Sequence, residues 1–171
     1  EREKAAIGPG WMSFRPYSGG EIVNWGCHGL SMVLWGLGMD NSGPVEIWVE
    51  PPKKLEKLVY TKPEDRKRGD SLMSQGIVNY KFSNGVVLKL EGTDERLGGG
   101  GTFIGDKGKI TVFREGYECD PPDLDKDPLP SNAIRVYESD NHMENFFACV
   151  KTRKDPISNV EVAHRIASLC H

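Results

Sequence analysis

The spacing of apolar residues changes twice along the chain. From Tyr17 to Gly38, YSGGEIVNWGCHGLSMVLWGLG, apolar side chains recur at helical intervals on most sides. Val23, Cys27, Leu30, Leu34 and Leu37 form one flank, and Ile22, Trp25, Met32 and Val33 another. A helix apolar on most sides is one covered on most sides. Glu21, Asn24, His28 and Ser31 interrupt it at intervals of three and four, so they share one face. Polar groups on a buried helix cost free energy unless they find partners. The stripe therefore belongs either to an internal hydrogen-bond network or to the wall of a cleft. Ser18 and Glu21 have capping-box spacing at the start of the helix, and Gly38, with Pro44 after it, suits a left-handed cap at its end.

The period then shortens to two. Val45, Ile47 and Val49 alternate with Glu46, Trp48 and Glu50, which predicts a strand ended by Pro51-Pro52. Leu58–Tyr60 suggests another short strand, followed by a polar loop over 62–71. Val78, Tyr80 and Phe82, then Asn84-Gly85, then Val86, Leu88 and Leu90 predict a hairpin whose two central residues both take positive φ. A second hairpin is expected from Thr102–Ile104 through Asp106-Lys107-Gly108 to Ile110–Phe113. Residues 117–131 hold four prolines and four aspartates and read as an irregular loop, with a last strand at Ile134–Tyr137.

Helical spacing returns at the end. Met143, Phe146, Phe147 and Val150 form an apolar face over about His142 to Arg153, with Asp140 or Asn141 as cap. Ser158 and Glu161 repeat the capping-box spacing before a helix that turns Val162, Ala163, Ile166, Ala167 and Cys170 inward. That helix reaches His171 without a stop signal, so a chain cut from a longer protein is the expectation. Helix, then strands joined by tight hairpins, then two helices predict an α+β domain over 1–171. Its sheet is open and mostly antiparallel, with helices on one face and the other left to solvent or a partner.

Composition narrows the function. A chain of 171 residues buries enough surface, roughly 70% of what it exposes unfolded, to need no metal or disulfide. With 22 basic and 25 acidic residues the net charge is −3, and the basic residues of 53–68 are interleaved with Glu56, Glu64 and Asp65, so nucleic acid is not an expected partner. No apolar run reaches the length of a membrane span. The start, EREKAAIGPGW, has no signal pattern, which favours the cytoplasm, or export if a signal precedes residue 1. Cys27, Cys119, Cys149 and Cys170 have no C-x-x-C spacing and read as thiols in apolar surroundings. They leave the redox compartment open.

Other chemical motifs fail on context. The run Gly98–Gly101 fits no G-x-G-x-x-G frame and precedes no helix. His164 and His171 lack a third ligand at metal spacing. No nucleophile elbow is present. What remains is His28 with Asn24, and ahead of them Trp11, Arg15 and Tyr17, which suit a polyhydroxylated or anionic ligand.

Two segments carry a family resemblance. GPGWMSFRPYSGGEIVNWGCHGLSMVLWGLGMDNSGPVEI resembles the start of the second domain of the glucose–fructose oxidoreductase / inositol dehydrogenase / MocA family, bacterial-type branch, with its pattern G-G-x-x-x-D-W-G-x-H-x-x-D-x-x-x-W-x-L-G-M-D. NHMENFFACVKTRKDPISNVEVAHRIASLCH resembles the same branch's H-x-x-N-F-x-x-C-V-x-(S/T)-R-x-x-P helix pair. The resemblance implies the substrate-binding and oligomerisation domain of a two-domain oxidoreductase. NAD or NADP would be bound by an N-terminal Rossmann domain absent from this chain, and no cofactor is expected on this part alone. It implies a sugar-like small-molecule substrate and a homo-oligomer formed through the sheet face. His28 stands at the family's proton-transferring histidine. Asn24 and Ser31 stand where the family usually has aspartates, and asparagine can orient an imidazole but not stabilise its cation by charge. A non-catalytic binding or assembly module that keeps the fold is the alternative.

Overall fold

The computed structural model describes residue 19 and residues 22–50, 77–91 and 100–171. The expected Ser18–Glu21 cap, the Leu58–Tyr60 strand, the 62–71 loop and the side chain of Trp25 lie outside the described residues.

The first helix opens with a π-helical turn, Ile22–Gly26, and continues as α1, Cys27–Gly36. Among the described residues six strands follow: β1 Glu46–Glu50, β2 Ile77–Lys81, β3 Val87–Leu90, β4 Gly101–Gly105, β5 Gly108–Phe113 and β6 Gly116–Asp120. Helices α2, His142–Thr152, and α3, Val160–Cys170, complete the order. Among the described residues every strand pair is antiparallel, in two three-stranded sheets ordered β1-β2-β3 and β4-β5-β6. The α+β class expected from the sequence is therefore the class observed.

Register sorts the first sheet into two faces. Ile47, Tyr80 and Leu88 stand side by side, as do Val49, Val78 and Leu90. Tyr80, Phe82 and Leu88 are buried against Leu30 and Leu34 of α1 and Ile166 and Cys170 of α3. Among the described residues Phe82 and Leu34 are the largest fully enclosed side chains. Both helices therefore cover the same face. The opposite face is an ionic ladder set around Trp48. Lys81 reaches Glu46 at 3.7 Å, Lys89 reaches Glu50 at 3.8 Å, and the buried Asn79 donates to Glu50 Oε1 at 3.0 Å.

Glycines let the second sheet approach α1. A Cβ on Gly36 would stand 2.9 Å from Cζ of Phe103, and one on Gly101 would collide with Val33. Gly38 closes α1 in the left-handed region at φ 64°. Its N–H bonds to the Trp35 carbonyl at 3.0 Å and that of Met39 to the Leu34 carbonyl at 2.7 Å, the paired bonds of a Schellman cap.

Four local expectations are corrected. The first hairpin turns on three residues, Ser83-Asn84-Gly85, with the Gly85 N–H on the Phe82 carbonyl at 2.9 Å and positive φ at Gly85 alone. That is a type I turn completed by a left-handed glycine rather than a two-residue turn. Residues 116–120, expected in a loop, form β6, because Arg114-Glu115 is a tight turn that returns Tyr117 opposite Val112 and Cys119 opposite Ile110. Residues 134–137 form no strand; Ile134 lies over Gly38, and the Tyr137 hydroxyl accepts from Asn145 Nδ2 at 2.8 Å. The cap of α3 is Asn159, whose Oδ1 accepts the Val162 N–H at 2.9 Å, and not Ser158.

Candidate functional site

The first helix positions the candidate chemistry. Leu30 and Leu34, one turn apart, fix its buried side in the core. His28, in the first turn of α1, is exposed. Asn24 lies one turn earlier, half-buried, inside the π-helical turn. The sequence spacing predicts a uniform α-helix for this stretch. The wider turn replaces it where Gly26 has no side chain: a Cβ there would stand 2.9 Å from Cγ1 of Ile22, which folds across the gap. Single π turns within helices occur often at functional sites, because they redirect the side chains of one turn relative to the next. The Cys27 thiol donates to the Asn24 carbonyl at 2.9 Å, which pins the backbone of that turn.

Of the remaining candidates, Trp11, Arg15 and Tyr17 lie outside the described residues. His171, which lacks metal-ligand spacing in the sequence, joins this neighbourhood in the fold. Its ring lies beside Gly19 and Val23, with Cε1 2.7 Å from where a Cβ on Gly19 would stand. A second imidazole thus comes next to the turn that carries Asn24. No local pattern could reveal this, since residue 171 reaches residue 19 only after the whole domain has folded.

The surroundings exclude one kind of chemistry. Burial first, and the neighbouring Cys27 second, push the Cys170 thiol up to about 11, so it offers no thiolate near neutral pH. Tyr80 is raised in the same direction by burial and by Cys170, and its hydroxyl donates to the Leu169 carbonyl at 2.7 Å. Both groups hold the core together in their protonated forms. All four cysteines are unpaired.

Among the described residues no cluster of side chains is arranged to hold a metal ion, and no helix is long and apolar enough to cross a membrane. A concavity of about 490 Å³ opens elsewhere, between the β4–β5 turn and residues 124–130. Phe103, Ile110 and Leu129 line it, with the Lys107–Asp127 ion pair at 3.3 Å. It contains none of the candidate residues. Its ionisable side chains, Asp106, Lys107 and Asp127, are all exposed.

Exposed imidazole on a rigidly held helix can exchange a proton with a bound hydroxyl. A half-buried carboxamide one turn away can orient a ring or a substrate by hydrogen bonds. Neither residue by itself identifies a reaction. The chain as a whole gives the lineage. A family model described as the oxidoreductase family, C-terminal alpha/beta domain, matches residues 8–171. No curated protein and no solved structure matches the chain. A match over nearly the whole length, on an α+β framework, places this chain in the glucose–fructose oxidoreductase / inositol dehydrogenase / MocA oxidoreductase family, as its C-terminal alpha/beta domain.

Proposed function

We propose that this domain binds the substrate and supports oligomerisation in an NAD(P)-dependent oxidoreductase of the bacterial-type branch acting on a sugar, a polyol or a derivative of one. The observation that carries the reading is His28, exposed on a helix whose other side is locked into the core. In this role the nicotinamide cofactor, bound by the partner N-terminal domain, supplies hydride chemistry. The residues of this chain hold the substrate and handle the proton. His28 takes the proton of the substrate hydroxyl, or returns it in the reverse direction. Asn24 orients the imidazole or the substrate, and Trp11, Arg15 and Tyr17 contact the polyhydroxylated body. Self-association would use the outer face of β1–β3, where Trp48, Ile77 and Val87 lie among the Glu46–Lys81 and Glu50–Lys89 pairs.

The test is His28→Ala in the full-length oxidoreductase. Turnover should fall roughly 10²–10⁴-fold, the usual loss for a general acid–base. Because His28 is exposed, turnover should fall far more than stability does. Unchanged turnover with a lowered melting temperature would assign His28 to structure.

Asn24 favours a second reading. A carboxamide where the family usually has a carboxylate cannot stabilise imidazolium by charge, which suits a binding or assembly module that has kept the fold without the reaction. Full-length protein with no turnover on any polyol, yet with saturable binding of one, would decide for the module.

A further inference from the structure

Helix α2 turns its apolar stripe away from the body that carries it. Cys149 is its one buried residue. Asn145, nearly opposite the stripe, fastens the helix: its amide donates to the Tyr137 hydroxyl at 2.8 Å, and its Oδ1 accepts the Ile157 N–H at 3.0 Å. Met143, Phe146, Phe147 and Val150 share the outward face at about 100° per residue, and they are 59, 53, 55 and 47% exposed. The two rings meet edge to face, with centroids 5.5 Å apart and planes at 63°, so they form one aromatic wedge. The four side chains leave roughly 400 Å² of apolar surface open, well within the size that marks a contact site. A standard interface takes about 800 Å² from each partner, a little over half of it apolar. The stripe supplies close to the apolar share of one side.

We propose that a second copy of this chain docks on this face, α2 against α2, antiparallel about a two-fold axis. Charge placement favours this occupant. Glu144 and Lys151 are both exposed and lie on the same flank of the stripe, two helical turns apart. In an antiparallel pair about a two-fold axis, like flank meets like flank. Seating Met143 over Val150 of the second copy, and Phe146 over Phe147 of the second copy, leaves Glu144 and Lys151 of the second copy about 3 Å apart along the axis. Both side chains span that offset, and symmetry makes the ion pair twice. The contact uses neither His28 nor the outer face of β1–β3, so it stands whether or not the proposed reaction does.

Sedimentation velocity on the 171-residue chain, from micromolar to several hundred micromolar, tests the proposal. The expected result is a dimer. Phe146→Glu with Phe147→Glu should weaken it at least about 100-fold with circular dichroism unchanged, since both rings are solvent-facing. Trp48→Glu, on the sheet's outer face, should leave this dimer in place. Glu144→Lys alone and Lys151→Glu alone should each weaken it several-fold, and the double swap should restore it. A monomer throughout the range overturns the proposal. In the Trp48→Glu background, which disables the sheet face, association that survives the phenylalanine pair also overturns it. A double swap no tighter than either single one overturns the antiparallel arrangement.

Discussion

The hydroxyl of Tyr80 donates a 2.7 Å hydrogen bond to the carbonyl oxygen of Leu169, joining the central strand of the first sheet to the last turn of α3 across 89 residues of sequence. Carbonyls in the last turn of a helix have no amide four residues on, so this bond serves an acceptor that the helix leaves open. Tyr80→Phe keeps the ring in the core and removes only the donor. It should cost about 1–2 kcal/mol, which lowers the melting temperature of a domain this size by roughly 2–8 °C. A melting curve superimposed on that of the parent protein would mean water replaces the hydroxyl without loss.

Cys170 should make the domain sensitive to alkali. Its folded-state value lies near 11 against an ordinary value of 9.0, so the folded form holds the thiol proton more tightly. The stabilisation is fully present below pH 9 and is lost as pH rises through about 11. Tyr80 adds a loss in the same direction at higher pH. Cys170→Ala should be less stable than the parent at neutral pH, and the gap should narrow as pH rises past 9. Denaturant midpoints measured at steps through that range check this, and parallel curves for the two proteins would clear the thiol.

Asn159, and not Ser158, should carry the cap of α3. Its Oδ1 meets the Val162 N–H at 2.9 Å. Asn159→Ala should destabilise by about 1 kcal/mol, whereas Ser158→Ala should stay within about 0.5 kcal/mol as an ordinary exposed substitution. Equal losses at the two positions would contradict the assignment.

Asn24→Asp bears on the proposed reaction. A carboxylate one turn before His28 would favour imidazolium and raise the histidine's affinity for a proton. In the full-length oxidoreductase, the variant should raise turnover and move the acidic limb of its pH profile upward. Variant and parent with the same profile would show that the side chain at this position does not sense the imidazole's charge.

The local code was legible wherever a residue's neighbours in sequence are its neighbours in space. Gly38 as a left-handed cap, Asn141 as one of the two cap candidates of α2, and the hairpin of Thr102–Ile104 with Ile110–Phe113 all depend on bonds spanning a few residues. The errors have the same origin seen from the other side. The Ser83-Asn84-Gly85 turn and the Asn-Gly turn expected there differ in which backbone angles the strands impose, and only pairing fixes that. Strand β6 was hidden because its partner, β5, decides whether Gly116–Asp120 is extended.

By itself the sequence determined the α+β class, the first helix, the closing helix pair, and the place of Asn24 and His28 one turn apart on that first helix. These follow from periodicity and residue type, which act within one element. The tertiary structure decided the rest. It inserted the π turn at Ile22–Gly26, brought His171 beside Gly19, set Tyr80 on Leu169, and pointed the stripe of α2 outward. An apolar stripe states that a face prefers cover. Which face finds cover within the chain depends on the packing of elements far apart in sequence, where close fit and completed hydrogen bonds, such as those of Asn145, outweigh the preference of any one helix.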